Sequence, residues 1–173
     1  MGGGLLLLRL VVGALLAGHG AQKLFGWFGG PGLDGTSRMF GSLGRRPARG
    51  FALLGGLIEF AGGLLFAAGL VTPVVAGVLA AQMFAAILAM HWDKGIWNTN
   101  GGSEYPLVIA STALALAATG PGGYSLDALT GWWQPSALAG FVTAAVVAVL
   151  GALVGEASRR ATLHGRPARM RVA

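Results

Sequence analysis

Glu59 lies near the centre of a long apolar run, where a carboxyl group is unusual and could carry protons. The run FALLGGLIEFAGGLLFAAGL, from Phe51 to Leu70, is long enough to cross a bilayer, since a helix rises about 1.5 Å per residue. A charged side chain at the centre of such a helix costs about 2.5–3.5 kcal/mol on insertion scales. A chain that keeps Glu59 must therefore give it a partner, a proton or a water-filled cavity, which makes it the first candidate functional residue.

His19 and Gln82 lie in neighbouring apolar runs at nearly the depth of Glu59. At about 1.5 Å per residue, all three lie about 9–14 Å from the same end of the expected bundle. Glu59 and His19 are the candidate proton relay, because intramembrane carboxyl and imidazole groups recur in proton pathways. No catalytic residue is identified beyond this candidate pair. The simpler interpretations are a structural pairing of Glu59 with His19 or Lys23 and an interhelical hydrogen bond from Gln82.

A second polar layer lies nearer the same end of the bundle and contains Lys23, His91 and Glu104. On a helix, Arg9, His19 and Lys23 fall within about 80° of one another, so this face of the first run is expected to turn towards the other helices. Alternatively, Arg9 and Lys23 extend towards opposite membrane interfaces, and His91 is an interfacial anchor.

The sequence does not favour a metal site. Carboxylate and imidazole groups are acceptable ligands, but the paired Glu-x-x-His motifs of di-iron bundles are absent. The chain also has no cysteine, which excludes thiolate ligands, disulfides and thiol nucleophiles within it. We therefore predict no metal, and any thiol chemistry has to come from a partner protein.

The composition is that of an integral membrane protein. Of the 173 residues, 54% are hydrophobic and 10% are charged, whereas soluble domains carry about a quarter charged residues. The apolar runs are Leu5–Phe25, Phe51–Leu70, Pro73–His91, Pro106–Gly120 and Ser136–Gly155. We predict an all-α fold, a polytopic helical bundle in a lipid bilayer. The fourth run is short, so it is expected to pack among other helices or to begin a turn earlier, at Ser103.

The connection between the second and third runs carries clear turn signals. In GLVTP, Gly69 suits the left-handed position that ends a helix. Thr72 suits the cap of the next helix, and Pro73 suits its first turn. These two helices are therefore predicted to form an antiparallel hairpin.

A short interfacial helix is predicted in the loop 121–135. Ser125 can cap the segment LDAL, and Asp127 falls in its first turn. Trp132 and Trp133 are expected at the level of the lipid headgroups, where tryptophan is enriched.

The basic residues predict the orientation. Every Lys and Arg except Arg9 lies in or beside the segments 26–50 and 92–105 or the C-terminal tail. The positive-inside rule places these segments in the cytoplasm, with the N-terminus outside. The basic tail is expected to meet anionic lipid, and no nucleic-acid partner is predicted.

The motifs along the chain occur in an order that resembles a known family. The first run carries Arg9 and HGAQKLFG from His19, and the second carries Glu59 followed by glycines. The third run ends in HWDKGIWNTNGGSEYPLV, and GPGGYSLDAL follows the fourth. Over about residues 5–130, this series is similar to the DoxX family of small bacterial membrane proteins. The resemblance divides the chain into a DoxX-like four-helix domain at 1–130, an additional transmembrane helix at 131–157 and a basic cytoplasmic tail at 158–173.

The resemblance implies a bundle in the bacterial plasma membrane that is associated with redox chemistry. Relatives are linked to thiosulfate:quinone oxidoreduction, to quinone and thiol stress resistance, and to a complex with a sulfurtransferase and a superoxide dismutase. The positions that match the family pattern are Arg9, His19, Lys23, Glu59, Glu104, Tyr105 and Asp127. The candidate ligand-binding residues are Arg9, His19, Lys23, Glu59, Gln82, His91, Glu104 and Tyr105.

Three functions are compatible with the sequence. The first is a membrane subunit of a quinone- or thiol-linked redox system, with a quinone or similar ligand in a polar intramembrane cavity. A protein partner would carry the redox centre, because the chain has no haem-attachment motif or dinucleotide fingerprint and is not expected to be a complete enzyme alone. The second is a non-catalytic anchor that docks partner proteins through the segment 26–50. The third is a small transporter or proton-conducting bundle, and an oligomer is compatible with each.

Overall fold

Residues 2–131 and 135–164, which the computed structural model describes, fold into seven α-helices and no β-strand. The helices are α1 (Gly2–Phe25), α2 (Gly32–Ser42), α3 (Ala48–Ala68), α4 (Thr72–Ala86), α5 (Glu104–Thr119), α6 (Leu126–Thr130) and α7 (Ala137–His164). Helix α4 continues through a π-helical turn at Ile87–His91 and a 3₁₀ turn at Trp92–Lys94. The predicted all-α membrane bundle is confirmed.

Four helical segments in the described ranges are long and apolar enough to cross a membrane. They are Gly2–Phe25, Ala48–Ala68, Thr72–Lys94 and Ala137–Ser158. The short fourth run forms α5, an apolar helix of 16 residues, which is about 24 Å long at 1.5 Å per residue. Helix α5 packs against α4 and α7 and buries Ile109 and Leu116. Both expectations for the short fourth run are therefore met, because α5 begins at Glu104, directly after Ser103, and packs among other helices.

Glycine residues bring α1 and α3 into backbone contact. An ideal Cβ at Gly13 would lie 2.5 Å from the carbonyl oxygen of Gly63, and one at Gly20 would lie 2.7 Å from that of Gly56. Side chains do not fit in these spaces, so small residues permit the close crossing of the two helices. The crossing places the C-terminal turns of α1 against the middle of α3.

The turn between α3 and α4 is held by Asp127, a residue distant in sequence. Gly69 ends α3 with φ 67° and ψ 52°, the predicted left-handed conformation. The predicted cap at Thr72 is wrong, because its side chain makes no cap hydrogen bond among the described residues. Instead, the Asp127 carboxylate accepts hydrogen bonds from the backbone N–H groups of Val71 at 2.7 Å and Thr72 at 2.9 Å. A carboxylate is favoured over a hydroxyl here, since it also complements the positive end of the helix dipole.

No helix was predicted in the segment 26–50, but this segment is folded against the bundle. It contains α2, which packs against α1 and α3. Thr36 is buried, and its hydroxyl lies within hydrogen-bond distance of two backbone carbonyls, that of Gly32 in α2 at 2.8 Å and that of Lys23 in α1 at 3.2 Å. The apolar side chains of Met39 and Phe40 line a cavity. Helix α2 is therefore part of the folded bundle.

The short helix predicted in the loop 121–135 is present as α6. The Ser125 Oγ accepts a hydrogen bond from the Ala128 N–H at 3.1 Å, as expected for a cap. The predicted positions of Trp132 and Trp133 fall outside the described residues.

The orientation is a prediction that reporter fusions test. A reporter that is active only in the periplasm should be silent after Ala173 and active when inserted near Tyr124, because the positive-inside rule places the basic segments in the cytoplasm. A reporter that is active only in the cytoplasm should give the mirrored pattern and serves as the control. Periplasmic activity after Ala173 together with silence near Tyr124 would reverse the orientation.

Candidate functional site

An ion pair between Lys23 and Glu59 forms the centre of the candidate site. The Lys23 Nζ lies 2.5 Å from each carboxylate oxygen of Glu59. The two side chains are 24% and 4% exposed, respectively. Glu59 therefore faces the bundle interior within reach of α1, as predicted, and its partner is Lys23 rather than His19.

Close packing on both sides of Lys23 fixes the ion pair. An ideal Cβ at Gly56 would lie 2.6 Å from the Leu24 side chain, so α3 leaves room for α1 at this level. The Thr36 hydroxyl binds the Lys23 carbonyl, one of the carbonyl groups left open at the end of α1. The Thr36 hydroxyl of α2 and the close approach of α3 at Gly56 thus position the last turn of α1, from which the Lys23 ammonium reaches Glu59.

A cavity of about 320 Å³ lies beside this ion pair, between α2, α3, α4 and α7. Its polar lining consists of Lys23, Arg45, Glu59, Gln82 and Ser158. The rest of the wall is mostly apolar and includes Phe40, Ile58 and Val147. An apolar cavity with a few convergent polar groups is typical of small-molecule sites, which have volumes of about 300–1,000 Å³.

Gln82 and Arg45 contribute differently to the cavity. Among the described residues, no hydrogen bond of the Gln82 side-chain amide is found, so its donor and acceptor groups can serve a ligand. Arg45 is buried, its Nη1 donates to the carbonyl oxygen of Gly155, and its guanidinium lies 5.7 Å from the centre of the Phe51 ring. Arg45 therefore joins the start of α3 to α7 at the edge of the cavity.

Helix α4 changes its winding where it borders the cavity. Ala89 and Met90 line the cavity and belong to the π-helical turn at Ile87–His91. Such turns are rare and frequently occur at functional sites. The change in winding alters the direction in which these side chains point relative to those of the preceding helix.

His19 and Tyr105 form a separate pair outside the cavity. The His19 Nε2 lies 3.1 Å from the Tyr105 hydroxyl, and the two rings are 5.6 Å apart. His19 is exposed and Tyr105 is 39% exposed, although Tyr105 lies within electrostatic range of Glu59. The expectation that the polar face of α1 turns inwards is correct for the buried Arg9 and the half-buried Lys23. It is wrong for His19, which lies at the edge of that face.

Arg9 binds backbone groups at the end of the bundle opposite the ion pair. It is fully buried, and its Nη1 donates to the Ala67 carbonyl at 3.2 Å while its Nη2 donates to the Tyr124 carbonyl. Asp127 lies close enough to interact with it electrostatically. Arg9 thus joins α1 to the end of α3 and to the segment before α6, and it does not line the cavity.

His91 and Glu104 organise the loop between α4 and α5. The His91 Nδ1 lies 2.6 Å from the Gly101 carbonyl oxygen, and the Glu104 carboxylate accepts a hydrogen bond from the Asn98 N–H at 3.0 Å. These contacts hold the loop closed on itself. Neither residue lines the cavity.

The structure brings Lys23, Glu59 and Gln82 together at one cavity, and the other five candidate residues do not line it. The cavity also contains side chains that sequence reasoning missed. Met39, Phe40 and Leu43 have the i, i+1, i+4 spacing of an inward helix face, which was a usable signal for α2. The wall formed by α7 had no such signal, because its apolar composition is equally suited to facing lipid.

Comparisons with known proteins agree with this architecture. Residues 4–92 match the DoxX family. They cover α1 from its third residue, all of α2 to α4, and the three cavity residues Lys23, Glu59 and Gln82. A protein of Bacillus subtilis (strain 168) named "Putative oxidoreductase CatD" is 30% identical over 124 residues, which cover 72% of this chain and 84% of that protein. No solved structure matches the chain.

Proposed function

The chain belongs to the DoxX family of membrane proteins, and from that premise we propose that it is a membrane subunit of a quinone- or thiol-linked redox system. In this proposal the cavity beside Lys23 and Glu59 binds a quinone or a similar small ligand. The observation that carries the proposal is the convergence of an ion pair and an amide on one apolar cavity of about 320 Å³. The name of the related oxidoreductase from Bacillus subtilis supports the assignment to redox chemistry.

The residues of the cavity fit a quinone. Each quinone carbonyl needs a hydrogen-bond donor, and the Lys23 ammonium and the Gln82 amide both line the cavity. The Glu59 carboxyl group is the acid–base group on the same wall, so it can accept or deliver a proton when Lys23 exchanges one hydrogen bond for another. A bound quinone would supply two-electron, two-proton redox chemistry at this position.

The electrons have to come from a protein partner. The chain contains no cysteine, and a flavin or metal centre on another subunit is the class of donor that the proposal requires. We place the assembly in the bacterial plasma membrane, with the C-terminus in the cytoplasm. The basic residues of the segments 26–50 and 92–105 support that orientation.

Quinone binding by the purified protein tests the proposal. Protein extracted in mild detergent should contain quinone or bind added decylubiquinone in equilibrium dialysis. Gln82→Leu should weaken binding by up to about ten-fold, since a hydrogen bond between neutral groups contributes about 0.5–1.5 kcal/mol. Glu59→Gln should also weaken binding, because the Lys23 ammonium, the charged donor, is then no longer held at the cavity.

The matched control is Asp34→Asn, because it removes a carboxylate that is 73% exposed and paired with Arg49 outside the cavity. This variant should bind decylubiquinone as the wild type does. A wild-type protein that neither contains nor binds quinone, and that instead retains a partner protein, would favour the second function, a non-catalytic anchor that docks partner proteins.

A further inference from the structure

Helix α7 forms one wall of the cavity that contains the ion pair. Its lining residues are Val147, Gly151, Val154, Gly155 and Ser158. This helix lies beyond residues 4–92, the part of the chain that matches the family. The ion pair therefore belongs to the shared family region, whereas the shape of this wall is set by a segment outside it.

Two glycines one turn apart on α7 have different surroundings. An ideal Cβ at Gly151 would lie 2.7 Å from the Ala81 Cβ, so this glycine permits close packing of α7 on α4. An ideal Cβ at Gly155 would have the Arg45 Nη1, 4.0 Å away, as its nearest neighbour. Gly151 is therefore required for helix contact, while the missing side chain at Gly155 leaves space in the cavity.

The rim of the cavity includes side chains that face the lipid. Leu54 of α3 is 55% exposed and Val154 of α7 is 66% exposed, and both also line the cavity. An apolar tail can therefore leave the cavity between α3 and α7 and remain in the bilayer. The polar groups inside can hold only a head group of limited size, because the whole cavity measures about 320 Å³.

We infer that α7 is the specificity wall of this site, and that Gly155 determines the size of the ligand that it admits. The ligand class is an amphiphile with a ring-shaped, hydrogen-bond-accepting head and an apolar tail that extends into the lipid. This inference rests on the proposed function, since it assumes that the cavity is a ligand site. Arg45 supports the wall by binding the Gly155 carbonyl, which is a contact to the backbone of α7.

A graded series at Gly155 tests the inference. Gly155→Ala, Gly155→Val and Gly155→Leu should bind decylubiquinone progressively more weakly, with at least a ten-fold loss for leucine, because each step fills more of the cavity. Gly18→Leu is the matched control, since an ideal Cβ at Gly18 meets no atom within 4 Å and the substitution adds the same atoms away from the cavity. It should bind as the wild type does. Thermal unfolding of each variant in detergent shows that the comparison is made on folded protein.

The outcomes distinguish this inference from the proposed function. Wild-type protein that binds no decylubiquinone overturns the proposed function and this inference with it. If the wild type binds decylubiquinone and Gly155→Leu binds it equally tightly, only the inference about α7 is overturned. If leucine prevents folding, the alanine and valine variants must still show the graded loss, and equal affinity in both would overturn the inference.

Discussion

Lys23→Met is expected to destabilise the protein strongly, and a second substitution, Glu59→Gln, is expected to restore most of the loss. Methionine removes the cation that binds both oxygens of a carboxylate only 4% exposed. Leaving one charge of a buried pair without its partner costs about 3–5 kcal/mol. In the double variant both charges are gone, and neutral replacements of a buried pair are close to neutral in stability.

The two single variants should lose different amounts of stability, because the Lys23 and Glu59 side chains differ in exposure. After Glu59→Gln, the Lys23 side chain, which is 24% exposed, can extend towards the interface and remain solvated. We therefore expect that variant to lose only about 1 kcal/mol, the contribution of an ordinary hydrogen bond. Thermal unfolding in detergent measures the whole cycle. Equal loss of stability in the two single variants would contradict the assignment of Glu59 as the buried member of the pair.

The same cycle separates a structural from a functional role for the pair. If the Lys23–Glu59 pair acts on a ligand, the double variant should be stable and should not bind decylubiquinone. If the pair serves only to hold α1 against α3, binding should follow the amount of folded protein in every variant. The double variant is the informative one, because a functional pair predicts a protein that is nearly as stable as the wild type and yet does not bind decylubiquinone.

Asp127→Ala is expected to lower stability by about 3 kcal/mol or more, because it removes the charged acceptor of two backbone hydrogen bonds, each of which contributes about 1.5–3 kcal/mol. Asp127 is 2% exposed, and its carboxylate accepts hydrogen bonds from the N–H groups of Val71 and Thr72 at the start of α4. Alanine removes these acceptors and also takes a negative charge away from the neighbourhood of the buried Arg9. The loss should appear as a lower midpoint of thermal unfolding in detergent.

Two further variants calibrate the effect of Asp127→Ala. Asp127→Asn keeps one acceptor oxygen without the charge, so the stability of this variant should lie between those of Asp127→Ala and the wild type. Asp34→Ala removes an exposed carboxylate and should change stability by no more than about 0.5 kcal/mol. If Asp127→Ala unfolds at the same temperature as Asp34→Ala, the turn at 69–72 does not depend on the carboxylate.

Several features of this protein could be predicted because they are encoded in neighbouring residues. The length and hydropathy of each run determine the all-α membrane fold. The turn at Gly69 and the cap at Ser125 follow from the chemistry of single positions. The cost of a charge in lipid determines that Glu59 faces the bundle interior, whatever its partner.

Only the tertiary structure decides which distant groups meet. The sequence left Lys23 and His19 as equal partners for Glu59, and the close crossing of α1 and α3 selects Lys23. Thr72 was a reasonable local cap, but Asp127 takes that role from 55 positions further along the chain. The wall formed by α7 was likewise hidden, because an apolar helix can face lipid or a cavity with the same composition. Hydropathy fixes the depth of a residue in the membrane, whereas the rotation of each helix and the choice of its neighbours depend on how all the helices pack together.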